Sequence, residues 1–215
     1  MTSRQQRRLI SLALLALVTA FLLYRQYQQG QRPAFGPHIQ NNITCGVHCG
    51  TERWLVKTLS DADVAGINFS PRPATVTWLT SQPAPSPLPA DSRLAPLELQ
   101  AFTVRAQLVA IKEESDRDFH LILADPANPS TTMLAEIPSS ECSGACSSQY
   151  ASSFESARTA LESRFGMPPT TAFQNVPGTI IVDVTGIAFF DFFHSQRGVA
   201  PNAIELHPVL GIHFE

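Results

Sequence analysis

Residues 178–214 read GTIIVDVTGIAFFDFFHSQRGVAPNAIELHPVLGIHF. Ile180, Val182 and Val184 alternate with Ile181, Asp183 and Thr185, which is the period-two pattern of a strand rich in β-branched residues. Gly186 interrupts it, and glycine inside a strand marks a bulge or a sharp bend. Phe189, Phe190, Phe192 and Phe193 follow, broken only by Asp191. Such rings cover ~150–250 Å² each, so all four are expected to be buried. Residues 194–202 carry Gly198, Pro201 and Asn202 and read as a loop. From Ile204 to Phe214 the chain is a strand again. Leu206, Pro208, Leu210, Ile212 and Phe214 share one parity; Glu205, His207, Val209 and His213 share the other. Pro208 donates nothing to a ladder, so this strand needs a free edge or a bulge there.

Upstream lies a compact unit. Phe102, Val104, Ala106, Leu108 and Ala110 alternate with Arg105 and Gln107 and form a first strand. After an acidic turn over 113–118, Phe119, Leu121 and Leu123 form a second strand that ends at Asp125. Residues 126–130 turn the chain. Met133, Ala135 and Ile137 form a third, stopped by Pro138. Tyr150, Phe154, Ala157, Leu161 and Phe165 fall on one face of a helix, which Ser147 or Ser148 can cap and Gly166 and Pro168 end. The fold class is therefore mainly β with one helix. Its order, β-β-β-α-β-β, predicts an OB-like five-stranded barrel over residues 97–215. A generic α+β sandwich is the alternative.

Arg4, Arg7 and Arg8 precede an uncharged apolar run from Leu9 to Tyr24 with no small-residue cleavage site behind it. Residues 1–8 read as a cytoplasmic n-region. Residues 9–24 read as a signal anchor, a single transmembrane helix that leaves the rest of the chain outside the cytoplasm. At ~24 Å the run falls just short of the ~30 Å bilayer core. Residues 25–44 form a Gln-rich juxtamembrane tether. Residues 45–82 are an N-terminal extension in which Ser60 caps a short helix through Ala65 and Thr75–Leu79 forms a short strand. Residues 83–96 are a Pro-rich linker. Five arginines and no acid precede Pro33, so the remainder holds 10 basic and 18 acidic residues, a net of −8. Phosphate contacts need Lys and Arg, so nucleic acid is excluded as the expected partner.

Several segments carry a resemblance. They are Cys49-Gly-Thr-Glu-Arg-Trp54 with Val56-Lys57-Thr58, the FHLILAD run from Phe119, Ala135-Glu136-Ile137-Pro138, and FFDFFHSQRGVAPNAIELHPVL from Phe189. Over about residues 49–214, the linker excepted, the chain resembles a family of uncharacterised bacterial exported proteins. The resemblance implies a bacterial, extracytoplasmic, single-domain protein. It carries no catalytic residue onto this sequence.

The cysteines form two pairs, Cys45 with Cys49 and Cys142 with Cys146, each C-x3-C. Outside the cytoplasm an even set of four predicts two disulfides, with three connectivities open. A bridge between the pairs ties the N-terminal segment to the loop before the helix. A four-thiolate zinc site normally uses C-x2-C, so no metal site is expected. The candidate catalytic residues are Asp191, His194, His207 and His120, side chains suited to acid–base work. His120, Glu136, Glu205, His207 and His213 should face away from the core. Arg197, Asn202 and Glu205 are the candidate ligand-binding residues, with Asp191 and Arg197 able to pair across their loop. No H-E-x-x-H or G-x-S-x-G is present, and no cofactor is implied. The sequence thus points to a membrane-anchored binding or interaction domain with a protein or envelope-glycan partner. A His/Asp-based or metal-dependent hydrolase and a structural envelope protein are the alternatives.

Overall fold

A computed structural model of the 215-residue chain describes residues 47–215. The expected anchor at 9–24, the tether at 25–44 and Cys45 lie outside the described residues. Among those described, no helix is long and apolar enough to cross a membrane.

Six strands make the body mainly β and barrel-like: β1 (Asn68–Ala74), β2 (Gln100–Glu113), β3 (Phe119–Asp125), β4 (Asn128–Ile137), β5 (Gln174–Phe190) and β6 (Ile204–Phe214). They pair in the order β1-β2-β3-β4-β6-β5, and β2 pairs again with β5. Strands β2 to β6 therefore close into a ring, with β1 outside it, parallel to β2. Within the ring only β4 and β6 run parallel, at Leu134 with Glu205 and Ala135 with Leu206. Among the described residues three α-helices accompany the sheet: α1 (Trp54–Lys57), α2 (Val76–Thr80) and α3 (Ala151–Phe165). The last lies between β4 and β5.

Period-two apolar residues fill the ring. Phe119, Leu121 and Leu123 of β3 meet Met133, Ala135 and Ile137 of β4, Val182 and Val184 of β5, and Leu206 of β6. Strand β2 breaks its period at a register shift between Leu108 and Ala110. Phe102, Val104, Ala106 and Leu108 face inward; beyond the shift Ile111 takes the inward place, and Ala110 joins Ile122 and Leu134 outside. A regular strand through Ala110 is thus corrected to one with a bulge. The bend at Gly186 is present, with register shifts on both sides of it. A Cβ there would sit 2.8 Å from the Pro208 carbonyl oxygen, so only glycine fits this close approach. The irregularity at Pro208 is present too, and its peptide bond is cis.

Other expectations are corrected. Thr75–Leu79 is a helix, α2, whose cap Thr75 accepts from the Trp78 amide. A strand exists in this region, but earlier, at β1, where Pro71 and Pro73 mask it. The turn over Ala62–Gly66 is 3-10 and is capped by Asp61, not Ser60. Helix α3 has no side-chain cap on its first turn; Ser148 instead accepts from the Tyr150 amide and donates to the Leu59 carbonyl. Phe189 and Phe190 are buried, but Phe192 and Phe193 are 41% and 67% exposed. Asp191 ends the strand between the two pairs, so the second pair leaves the sheet.

Candidate functional site

The outer face of β3, β4 and β6 gathers two histidines and three carboxylates into one buried cluster. Register sets His120 opposite Glu136 and Leu134 beside Glu205. His207 follows two residues after Glu205, on the same face. Asp118 enters from the turn before β3. These side chains face away from the ring interior, as their parity requires, yet none faces solvent: His207, Asp118, Glu136, Glu205 and His120 are 0–6% exposed. The cover comes from the N-terminal segment and from the 191–203 loop. Lys57 of α1 reaches in to Asp191 at 2.8 Å. Both Arg53 and Lys57 lie over the Phe189 ring.

Contacts inside the cluster are short. His207 Nδ1 lies 3.1 Å from Glu205 Oε1, to which it donates, and 2.9 Å from Glu136 Oε2. His207 Nε2 lies 3.3 Å from Asp118 Oδ2. His120 Nε2 lies 3.0 Å from Glu136 Oε1. Distance alone overstates these last two contacts. Asp118 Oδ2, His207 Nε2 and both ring nitrogens of His120 have no aligned hydrogen-bond partner.

Burial and mutual charge set the protonation of the group. Burial pulls the His120 pKa down, but the Glu136 carboxylate more than reverses this and carries it to about 9. His207 behaves alike: burial lowers its pKa, and Glu136, Asp118 and Glu205 together hold it well above the usual imidazole value. Burial pushes Glu136 up, and the two imidazoles bring it well below the ordinary carboxylate range. Glu205 is raised to about 7 by burial and by the neighbouring Glu136 charge. Burial disfavours the Lys57 cation, but Glu136, Glu205 and Asp191 outweigh that and keep it charged.

Four of the residues singled out in the sequence thus converge here: His120, His207, Glu205 and, through Lys57, Asp191. The other three do not. His194 is exposed beside Glu52 at 3.1 Å. Arg197 donates to Asn175 Oδ1, not to Asp191, so the expected pair across the loop is replaced by Lys57–Asp191. Asp191 does accept a loop amide, from Phe192. Asn202 donates to the Leu79 and Gln82 carbonyls and so holds the end of α2. His213 remains exposed. Cys49 is bonded to Cys142, across the two cysteine pairs, with Cα atoms 5.6 Å apart. Cys146 is disulfide-bonded as well.

Sequence reading missed the ion pairs that fasten the cover. Arg53, in a left-handed backbone conformation at φ 51°, makes a two-pronged pair with fully buried Glu98 and donates to the Phe190 carbonyl. Glu98 also accepts from the Phe190 amide. Arg93 makes a second buried two-pronged pair with Asp61. One signal was available for Glu98: a lone acid between Leu97 and Leu99 needs a partner once buried. Arg93 had none, since it sits in the Pro-rich linker.

The open concavity of the molecule lies elsewhere. A groove of about 680 Å³ runs along β1 and the start of β2. Trp78, Pro83, Pro85, Leu97, Phe102 and Phe190 supply its apolar wall, with Arg72, Gln82 and Gln100 as polar groups. Trp78 stacks obliquely on Phe102, with ring centroids 5.8 Å apart, and stays 42% exposed. Its helix α2 is clamped at both ends: Asp125 accepts from the Thr77 amide, and Asn202 takes the carbonyls of Leu79 and Gln82. By contrast, the hollow beside Asp191, His194 and Glu205 is only about 10 Å³ and admits no substrate.

No known family profile matches the chain, and no curated protein matches it. Among solved structures it is similar to a putative aspartyl-tRNA synthetase from Leishmania major Friedlin, at 14% identity and a TM-score of 0.38. That match covers 68% of this chain and spans 21% of the synthetase chain.

Proposed function

We propose that this protein is a membrane-anchored, extracytoplasmic binding domain built on an OB-like barrel, and that its groove takes an apolar peptide segment of a protein partner. The ring order β2-β3-β4-β6-β5, its parallel β4–β6 pair and the helix between β4 and β5 support the OB-like reading. The anchor reading rests on the arginines and apolar run at the N-terminus. One observation carries the binding assignment: the aromatic groove is open and held rigid, whereas the His/carboxylate cluster is sealed. A bound sugar needs a dense set of hydrogen-bond donors and acceptors. This wall offers three polar side chains among ten apolar residues. Apolar side chains of an extended peptide fit it better. Prolines at 71 and 73 remove donors from β1, so the peptide engages through side chains rather than as an added strand.

The chain has two tryptophans, Trp54, buried, and Trp78 in the groove, so its fluorescence reports on occupancy. Apolar and aromatic peptides should shift the emission of the wild type in a saturable way. In Trp78→Phe that shift should vanish. Saturable binding of cell-wall oligosaccharides with none of peptides would overturn the peptide assignment. A hydrolase is the second reading, favoured by the meeting of His120, His207 and Glu205. It requires turnover of model esters or glycosides that His207→Gln abolishes.

A further inference from the structure

The sealed cluster leaves the wrong atoms bare. Asp118 Oδ1 accepts from the Ser139 amide, but Oδ2 has no aligned donor. His207 Nδ1 is engaged with Glu205, but Nε2 is not aligned with anything. His120 has neither ring nitrogen satisfied. A buried polar group without a partner costs ~1–3 kcal/mol, and native interiors hold few of them. Asp118 Oδ2 and His207 Nε2, 3.3 Å apart, ask for a common partner.

The distances say which kind. Asp118 Oδ2 and His207 Nε2 are 3.3 Å apart, and Glu136 Oε1 and His120 Nε2 are 3.0 Å apart, in both cases without the angles of an N–H···O bond. Close approach without alignment is how two donors sit along an edge of a coordination polyhedron. Metal–ligand bonds of ~2.0–2.2 Å place neighbouring donors at about that spacing. One donor atom each from Asp118, Glu136 and His207 lies within 4.8 Å of the others. Glu205 Oε1 at 3.1 Å and Glu136 Oε2 at 2.9 Å both flank His207 Nδ1, which orients the imidazole and leaves its Nε2 toward Asp118. The carboxylates Asp118, Glu136, Glu205 and Asp191 outnumber the cations that face them, Lys57 and Arg158, so the group favours a cation.

We infer that Asp118, Glu136 and His207 bind a divalent first-row transition metal of the zinc class, with Glu205 as the outer carboxylate and His120 beside Glu136. Mixed imidazole and carboxylate donors suit that class. The site is closed on all sides, as structural metal sites are, so the ion fastens the turn before β3 to β4 and β6 rather than meeting a substrate. The inference is independent of the groove and of what binds there.

Elemental analysis of the full chain, purified without a metal-affinity step and dialysed into metal-free buffer, tests it directly. About one ion per folded chain is expected. Chelator treatment should lower Tm, and ZnCl2 should restore it. Asp118→Asn should lose the ion, while Glu205→Gln should keep it with ~10–100-fold weaker affinity. His194→Gln, which removes the exposed Glu52–Asp191–His194 group, should bind as the wild type does. A folded wild type that holds no ion and shows no ZnCl2-dependent Tm overturns the assignment. So does retention of the ion in folded Asp118→Asn, or its loss in His194→Gln. Should Asp118→Asn fail to fold, the wild-type stoichiometry and the Glu205→Gln affinity decide the matter.

Discussion

Asp125 shows how one side chain links a turn to the groove. It ends β3 and points into the N-terminus of α2. Its two oxygens accept from the Thr77 amide at 2.9 Å and from the Ala127 amide at 2.9 Å. Burial pushes its pKa up, but the bonds from Thr77, Ala127 and Asn128 overcome that and leave it below the ordinary value. A folded-state pKa below the unfolded one means the group adds stability above ~pH 3.9 and loses it as pH falls through the folded value. Hydrogen bonds to a charged group are worth ~1.5–3 kcal/mol. Asp125→Asn should therefore cost about 1–2 kcal/mol at pH 7, since its amide oxygen keeps one of the two bonds. The difference from wild type should close by pH 2–3. Denaturant titrations at the two pH values check this. A gap that persists in acid means the carboxylate charge is not what matters. Weaker peptide binding by Asp125→Asn at pH 7 would follow from a looser Trp78.

At the level of elements, what could be read in advance depended on whether one period explained each stretch. Strand β3 begins and ends where its alternation does, because every inward residue is apolar and the turn at 126–127 closes it. Strand β6 has the expected bounds, but its parity breaks at Pro208, so Val209 rather than Leu210 joins the ring core. The bend at Gly186 was legible because glycine has a single reason to sit between such residues. Strand β1 was not, because its sequence NFSPRPA has no apolar period and it pairs on one edge only. Helix α2 was misread because Val76, Thr77 and Trp78 favour strands locally, and Asp125 and Asn202, distant in sequence, clamp it as a helix. Parity placed His120, Glu136, Glu205 and His207 on one outer face. Parity could not reveal that the segment from Val47 to Ile67 would cover that face. The cover is fixed by Arg53–Glu98, by Lys57–Asp191 and by Cys49–Cys142, which joins positions 93 residues apart. Removing such a bridge typically costs ~2–5 kcal/mol. Cys142→Ser should lower stability by that order and loosen the cover before the ring unfolds, seen as early hydrogen exchange in 47–67. Among the described residues no cysteine is free, and with Cys45 paired as the sequence predicts, alkylation should add four groups only after reduction. Labelling of the native, unreduced protein would contradict it.

On the scale of the whole molecule, charge and shape act together on the choice of partner. Surfaces that take single-stranded nucleic acid offer basic grooves with exposed aromatic platforms. Strands β3 and β4 of the ring offer neither. Their outer face carries His120, Ile122, Leu134 and Glu136, all buried. The cations beside it are already committed, Lys57 to Asp191, Lys112 to Glu114 and Arg158 to the Arg117 and Ile137 carbonyls. The open groove lies elsewhere and holds one cation, Arg72. Residues 33–215 carry a net of −8, so approach of a polyanion is opposed at long range as well. Each phosphate neutralised by Lys or Arg contributes to the salt slope of binding, and a single arginine allows a slope near −1 at most. A titration with single-stranded DNA at 50 and 200 mM salt should therefore give at best weak binding, with less than about a tenfold change between the two conditions. Tight binding that falls by ~10³-fold or more over that range would require several phosphate contacts. Such contacts are available only if the 47–67 segment and the 191–203 loop both lift, and Lys57→Ala, which frees Asp191 of that loop, or reduction of Cys49–Cys142 would then strengthen the binding. Unchanged weak binding in those two forms keeps nucleic acid off the list of partners and leaves the groove as the surface to probe.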